Sequence, residues 1–138
     1  MKTVLFLLTF WAMNLLFACN GSTSQTASNS AITLLSPAEF QKQIETLPNE
    51  QLIDLRTADE IVATGKIANA QAIDFHEQES FVQQVGQLDK QRPVMVYCAK
   101  GGRSGDASQQ LKDMGFTHII DLDGGMGAWQ EAQLPTTK

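Results

Sequence analysis

The sequence predicts an α/β fold, a single domain in which a five-stranded parallel sheet carries helices on both faces. Three observations lead there. From residue 31 onward, short apolar runs alternate with stretches whose apolar residues recur at helical spacing. Runs such as Val94-Met95-Val96-Tyr97 are apolar throughout, as a buried strand is. Two of the helical stretches open on the same signature, a hydroxyl residue followed three positions later by glutamate, which satisfies the first free backbone N–H groups of a helix.

Residues 31–35 (AITLL) supply the first strand. Ser36-Pro37-Ala38-Glu39 starts a helix with proline at its first position, Phe40, Ile44 and Leu47 line its inner face, and Pro48 closes the unit. Residues 51–56 (QLIDLR) form the second strand, and Thr57 with Glu60 starts a second helix that Gly65 stops. Residues 70–75 (AQAIDF) read as the third strand. A helix over 78–88 follows, with Phe81, Val82, Val85 and Leu88 on one face. Residues 93–98 (PVMVYC) are the fourth strand; Ala107, Leu111 and Met114 then line a helix that ends at Gly115. Residues 118–122 (HIIDL) form the fifth strand, and the corner DGGMGAW leads into a last short helix before Pro135.

Ahead of this domain, residues 1–19 carry one positive charge and then an apolar run that ends Leu16-Phe17-Ala18-Cys19. The run falls short of the about 20 apolar residues of a membrane span and suits the apolar core of a secretory signal. Its end resembles a bacterial lipoprotein signal, which implies a signal peptide over 1–18 and lipidation of Cys19. Cleavage near Ala18 that frees a soluble protein is the alternative. Residues 20–30 are small, polar and uncharged, a composition that forms a tether with a root-mean-square reach of roughly 18 Å. The domain proper then spans 31–138, and the expected location is the cell envelope or periplasm, anchored to a membrane by lipid.

The 138 residues carry a net charge of −5, which argues against a nucleic-acid partner. Cysteine occurs only at 19 and 98, too sparsely for a disulfide framework. Parallel sheets present ligands at the carboxyl ends of their strands, and Asp54, Cys98 and Asp121 fall at or near such ends. Asp121 is read as a capping or loop-bonding residue.

The stretch from Cys98 to Ser104 (CAKGGRS) carries the chemistry. Gly101 and Gly102 permit a backbone that turns several N–H groups inward, and the next helix aims its own free N–H groups and positive dipole end at the same point. Lys100 and Arg103 add full positive charge. All of these favour thiolate over thiol, so Cys98 is expected to have a depressed pKa and to act as a nucleophile beside an anion site. The competing reading is an inert buried cysteine that ends a core strand.

YCAKGGRS resembles the active-site loop of the rhodanese family of sulfurtransferases. LIDLRTADEIVATGKIANAQAIDF is similar to that family's Asp-x-Arg element with its acidic helix and following strand. LDGGMGAWQEAQLP is similar to its closing Gly-Gly-x-x-x-Trp segment. The resemblance implies a rhodanese-like domain in which Cys98 takes the outer sulfur of a donor such as thiosulfate, holds it as a persulfide and passes it to cyanide or a thiol. It implies that Ala99, Lys100, Gly101, Gly102, Arg103 and Ser104 bind substrate and persulfide, and that Asp54 and Arg56 brace the loop. No metal and no cofactor are implied, and a monomer is expected. Phosphatases and arsenate reductases that resemble this fold use a longer loop; the four residues between Cys98 and Arg103 suit one sulfur atom better than an oxyanion. Gly65-Lys66-Ile67-Ala68-Asn69-Ala70 departs from the family's Gly-His-Ile-Pro-Gly-Ala. Trp129 and His118 read as packing and surface residues, and His76 has no assigned role. The second functional reading is a non-catalytic rhodanese-like module that binds a partner or carries sulfur for it.

Overall fold

The computed structural model describes residues 30–47 and 50–138; the signal segment, Cys19 and nearly all of the tether lie outside them, as do Pro48 and Asn49. Chain order is β1 (Ile32–Leu35), α1 (Pro37–Thr46), β2 (Gln51–Asp54), α2 (Ala58–Thr64), β3 (Gln71–Ala72), α3 (Gln78–Val85), β4 (Val94–Tyr97), α4 (Gly102–Asp113), β5 (Ile119–Leu122) and α5 (Gly125–Glu131). The strands form one parallel sheet in the order β1-β5-β4-β2-β3. Both helix starts marked in the sequence are capping boxes, at Ser36 for α1 and Thr57 for α2.

Alternation along the central strand divides the core. Val94 and Val96 pack with Phe81 and Val85 of α3 and with Ala107 and Leu111 of α4. Met95 and Tyr97 face the other way, against Phe40 of α1 and Met126 and Trp129 of α5. Trp129 is the largest of the buried side chains: it meets the Phe40 ring edge-on at 6.4 Å, and its indole N–H donates to the Pro135 carbonyl at 3.0 Å. Its reading as a packing residue fits this placement, and His118 is exposed.

β2, β3 and α3 each stop two or more residues before the end the sequence suggested. β2 stops at Asp54, although Leu55 still donates to the Tyr97 carbonyl at 2.9 Å. β3 is reduced to Gln71–Ala72, although the N–H groups of Ile73 and Phe75 still reach the carbonyls of Asp54 and Leu55 at 2.9 and 3.2 Å. α3 ends at Val85, and Leu88 lies in the turn beyond it while still packing on the core. The Gly65–Ala70 turn closes without the family's His and Pro: Asn69 takes the left-handed conformation, and the Tyr97 hydroxyl accepts the Ile67 N–H at 3.1 Å.

β2 and β4 are neighbours in the sheet, yet the chain leaves them in opposite directions. After β2 it passes to α2, on the side of α5; after β4 it passes to α4, on the side of α3. Such a divergence opens a crevice at the carboxyl ends of the two strands, and Cys98 stands at its lip.

Candidate active site

Cys98 follows the last residue of β4 and is buried, only 1% exposed, recessed among Ile53, Val96 and Ala107. Its Sγ accepts the Gly101 N–H at 3.1 Å. Gly101 adopts φ +97° as the residue that caps α4, a conformation that a side chain would strain. Ser104 does not face the crevice. It is wholly buried, and its hydroxyl donates to the Gly101 carbonyl at 3.2 Å, so it steadies the loop from beneath.

A second support comes from a segment to which the sequence reading gave no site role. The Met126 and Gly127 N–H groups, at the start of α5, donate to the carbonyls of Cys98 and Ala99 at 2.8 and 3.0 Å. Gly125 lies so close beneath the loop that a Cβ there would run into the Cys98 carbonyl oxygen and come within 2.9 Å of the Lys100 nitrogen. The signal was present as the consecutive glycines Gly124-Gly125 after a strand, which mark close backbone approach.

The two loop cations have different fates. Lys100 is exposed. Arg103, expected to face the donor anion, is held by a carboxylate: Nη1 and Nη2 donate to the two oxygens of Glu60 at 2.9 and 2.6 Å. This fork-on-fork geometry is among the stronger charged pairings. The Arg103 hydrogen bonds, set against partial burial, bring the Glu60 pKa down to about 2, helped by the Thr57 N–H. The Arg103 pKa is raised first by the Glu60 hydrogen bonds, against partial burial, and further by the charges of Glu60, Cys98 and Asp74. Glu60 was read only as a helix cap; it is also the partner of the loop arginine.

Behind the loop, Asp54 and Arg56 form a closed cluster. Arg56 Nε and Nη2 donate to the two Asp54 oxygens at 2.9 and 2.6 Å, and the Arg56 N–H adds a bond at 3.1 Å. Nη1 and Nη2 also reach Thr64 Oγ1 and the Gly65 carbonyl, both at 2.7 Å. The Tyr97 hydroxyl donates to Asp54 Oδ2 at 2.7 Å, and the guanidinium lies 5.7 Å from the Tyr97 ring centre. Burial opposes the Arg56 charge, but the Asp54 hydrogen bonds and charge outweigh it and raise the pKa. Burial first, then Asp54, pushes the Tyr97 phenol well above its ordinary range, so it stays a neutral donor. The cluster ties the end of β2, the end of β4 and the α2–β3 turn together, directly behind Cys98.

Asp121, read as a capping or loop-bonding residue, meets the loop at the Ser104 hydroxyl. It is 4% exposed beneath α4, its Oδ1 has no hydrogen-bond partner, and Ser108 Oγ is likewise buried without one. Burial raises its pKa to about 6 against the Ser104 hydroxyl and the Leu122 N–H. A cavity of about 300 Å³ adjoins the loop between α2 and α5, with Ala63, Ala99, Lys100, Met126 and Gln130 in its wall. Exposed His76 lies 3.3 Å from Asp74 and stands outside the loop's hydrogen bonds. Among the described residues, no three His, Cys, Asp or Glu side chains gather to hold a metal ion.

Comparison with known proteins agrees with this geometry. The family model for the rhodanese-like domain matches residues 36–132. Over 90 residues the chain is 33% identical to the thiosulfate sulfurtransferase GlpE of Shewanella oneidensis, which covers 65% of this chain and 85% of that protein. A stretch of 47 residues is 47% identical to the uncharacterized protein slr1261 of Synechocystis, 34% of this chain but only 26% of that longer relative. Among solved structures, the polysulfide-sulfur transferase homodimer of Wolinella succinogenes superposes with a TM-score of 0.66 at 32% identity, over 79% of this chain and 80% of that one.

Proposed function

We propose that this chain, which belongs to the family of rhodanese-like domains, is a sulfurtransferase that carries sulfane sulfur on Cys98. One observation carries the reading: the Cys98 sulfur sits at the start of α4 with the Gly101 N–H directed onto it at 3.1 Å. Backbone donors fixed in advance stabilise charge on sulfur without having to reorganise during reaction. The helix dipole adds to them.

The chemistry follows in two steps. The Cys98 thiolate attacks the outer sulfur of a donor such as thiosulfate; the donor S–S bond breaks, sulfite leaves with the electron pair, and a Cys98 persulfide remains. Cyanide or a thiol then attacks the terminal sulfur and releases the Cys98 thiolate. The sulfurtransferase names of two relatives support this reading. The recessed position of Cys98, 1% exposed, is the feature that favours the second reading, a partner-binding module without turnover. We place the domain at a membrane through a lipid on Cys19, a proposal that rests on the sequence alone.

Intact mass of the purified protein tests the chemistry. Thiosulfate should add the mass of one sulfur to the wild type, cyanide should remove it, and Cys98→Ser should gain nothing. A wild type that gains no sulfur from any sulfane donor removes the enzyme reading and leaves the binding module.

A further inference from the structure

We infer that the loop selects sulfur donors of low negative charge, an organic hydropersulfide in preference to the thiosulfate dianion, and that Glu60 sets this selection. The inference rests on the sulfurtransferase reading and narrows its donor class.

The observation is a balance of charge that the loop sequence conceals. CAKGGRS reads as strongly cationic, but the charge of its arginine is offset by a carboxylate. Both Glu60 oxygens hold Arg103, at 2.9 and 2.6 Å, and Asp74 adds a second negative charge to the same guanidinium's surroundings. The other nearby guanidinium, Arg56, is enclosed by Asp54 at 2.6 Å and by backbone and hydroxyl acceptors. Lys100 remains, exposed, with its charge screened by salt. Three cations thus stand against Asp54, Glu60, Asp74 and the Cys98 thiolate. A dianion entering this crevice meets a surplus of negative charge, and the guanidinium that would receive it already has its charge offset by the Glu60 carboxylate. A hydropersulfide with an uncharged carrier bears at most one negative charge and meets a lower barrier than the dianion does. The cavity of about 300 Å³ beside the loop, with Ala63, Ala99 and Met126 as well as Arg56, Glu60 and Lys100 in its wall, has room for a small organic carrier.

The step balances without a further reactant. The Cys98 thiolate attacks the outer sulfur of R–S–SH, the S–S bond of the donor breaks, and R–S⁻ leaves with the electron pair. The proton stays on the transferred sulfur or passes to the departing thiolate.

The test compares kcat/KM for thiosulfate and for 2-mercaptoethanol hydropersulfide. Wild type should favour the hydropersulfide. Glu60→Gln should raise the thiosulfate-to-hydropersulfide ratio about tenfold by removing the negative charge that offsets Arg103, in line with the usual strength of like-charge discrimination. Asp74→Asn, which leaves the α2 cap intact, should move the ratio the same way by about two- to threefold, and it serves if the Glu60 variant does not fold. A wild type that favours thiosulfate, or a ratio that moves in neither variant, overturns the donor assignment alone. Failure of both donors to place sulfur on wild-type Cys98 instead overturns the sulfurtransferase reading.

Discussion

Two arginine–carboxylate pairs flank Cys98, and they share a shortest distance of 2.6 Å but little else. Arg56 and Asp54 are 2% and 0% exposed, whereas Arg103 and Glu60 are 20% and 34% exposed. In the first pair Asp54 Oδ1 takes two bonds from Arg56, Oδ2 takes one from Arg56 and one from Tyr97, and the guanidinium reaches two more acceptors. The Asp54 carboxylate is fully used by the protein. The second pair has the same chemistry at the rim, where water competes and an entering anion can do so as well. Burial therefore divides the roles: the enclosed pair is a frame for the strand ends, and the rim pair tunes what the loop meets. A distance alone would have made them equivalent.

The comparison breaks most readily at the frame. Asp54→Ala leaves the Arg56 charge buried and unpaired, which should cost about 3–5 kcal/mol. For a domain of this size, thermal unfolding followed by circular dichroism should show a drop of more than about 10 °C. The double variant Asp54→Ala/Arg56→Met removes both charges and should recover much of that loss, because replacing a buried pair by apolar groups is often close to neutral. A loss below about 1 kcal/mol for Asp54→Ala would show that the enclosed pair frames nothing.

Much of the frame was legible before the structure, and little of the rim was. The two capping boxes, the apolar strands and the stop at Gly65 are local signals, written within a few residues of where they act. Asp54 and Arg56 are two positions apart and end a strand, so their pairing was readable as loop support. Glu60 and Arg103 are 43 positions apart and meet only because β2 and β4 are neighbours in the sheet. Sequence reading saw Glu60 as a cap and Arg103 as a free cation, both on local grounds. The support from Gly125 and Met126 was hidden for the same reason: it depends on α5 starting beneath a loop formed earlier in the chain. The third strand reads as longer because apolar character persists through Ile73 and Phe75, whose N–H groups still bond Asp54 and Leu55 after the regular ladder has ended at Ala72.

Asp121 sharpens the contrast as a buried carboxyl with no cation among the groups that act on it. Its folded pKa, about 6, lies above the ordinary 3.8, so the folded state holds its proton more tightly than the unfolded chain does. Stability contributed by that proton is full below about pH 4 and is lost as pH rises through about 6. Asp121→Asn removes the penalty. It should stabilise the protein by about 2 kcal/mol at pH 7, with the advantage closing as pH falls toward 4. Denaturant unfolding at pH 4, 5.5 and 7 reads this directly. A variant less stable than wild type at pH 7, or an offset that ignores pH, would mean that the carboxylate has a partner that offsets its burial.

The smallest effect belongs to the rim. Glu60 titrates at about 2 when folded against 4.5 for a free side chain, so its contribution is fully present above about pH 4.5 and fades as pH falls toward 2. The side chain is 34% exposed, and solvent takes most of what the shift suggests. Glu60→Gln should therefore cost no more than about 1 kcal/mol at pH 7. That cost should shrink in molar salt, where the screening length falls to about 3 Å, while the loss in Asp54→Ala should barely respond. The opposite ranking, a salt-sensitive Asp54 and a costly, salt-blind Glu60, would reverse the two roles. A pair that contributes so little to stability while holding both oxygens on the loop arginine is better explained by what it withholds from ligands than by what it adds to the fold.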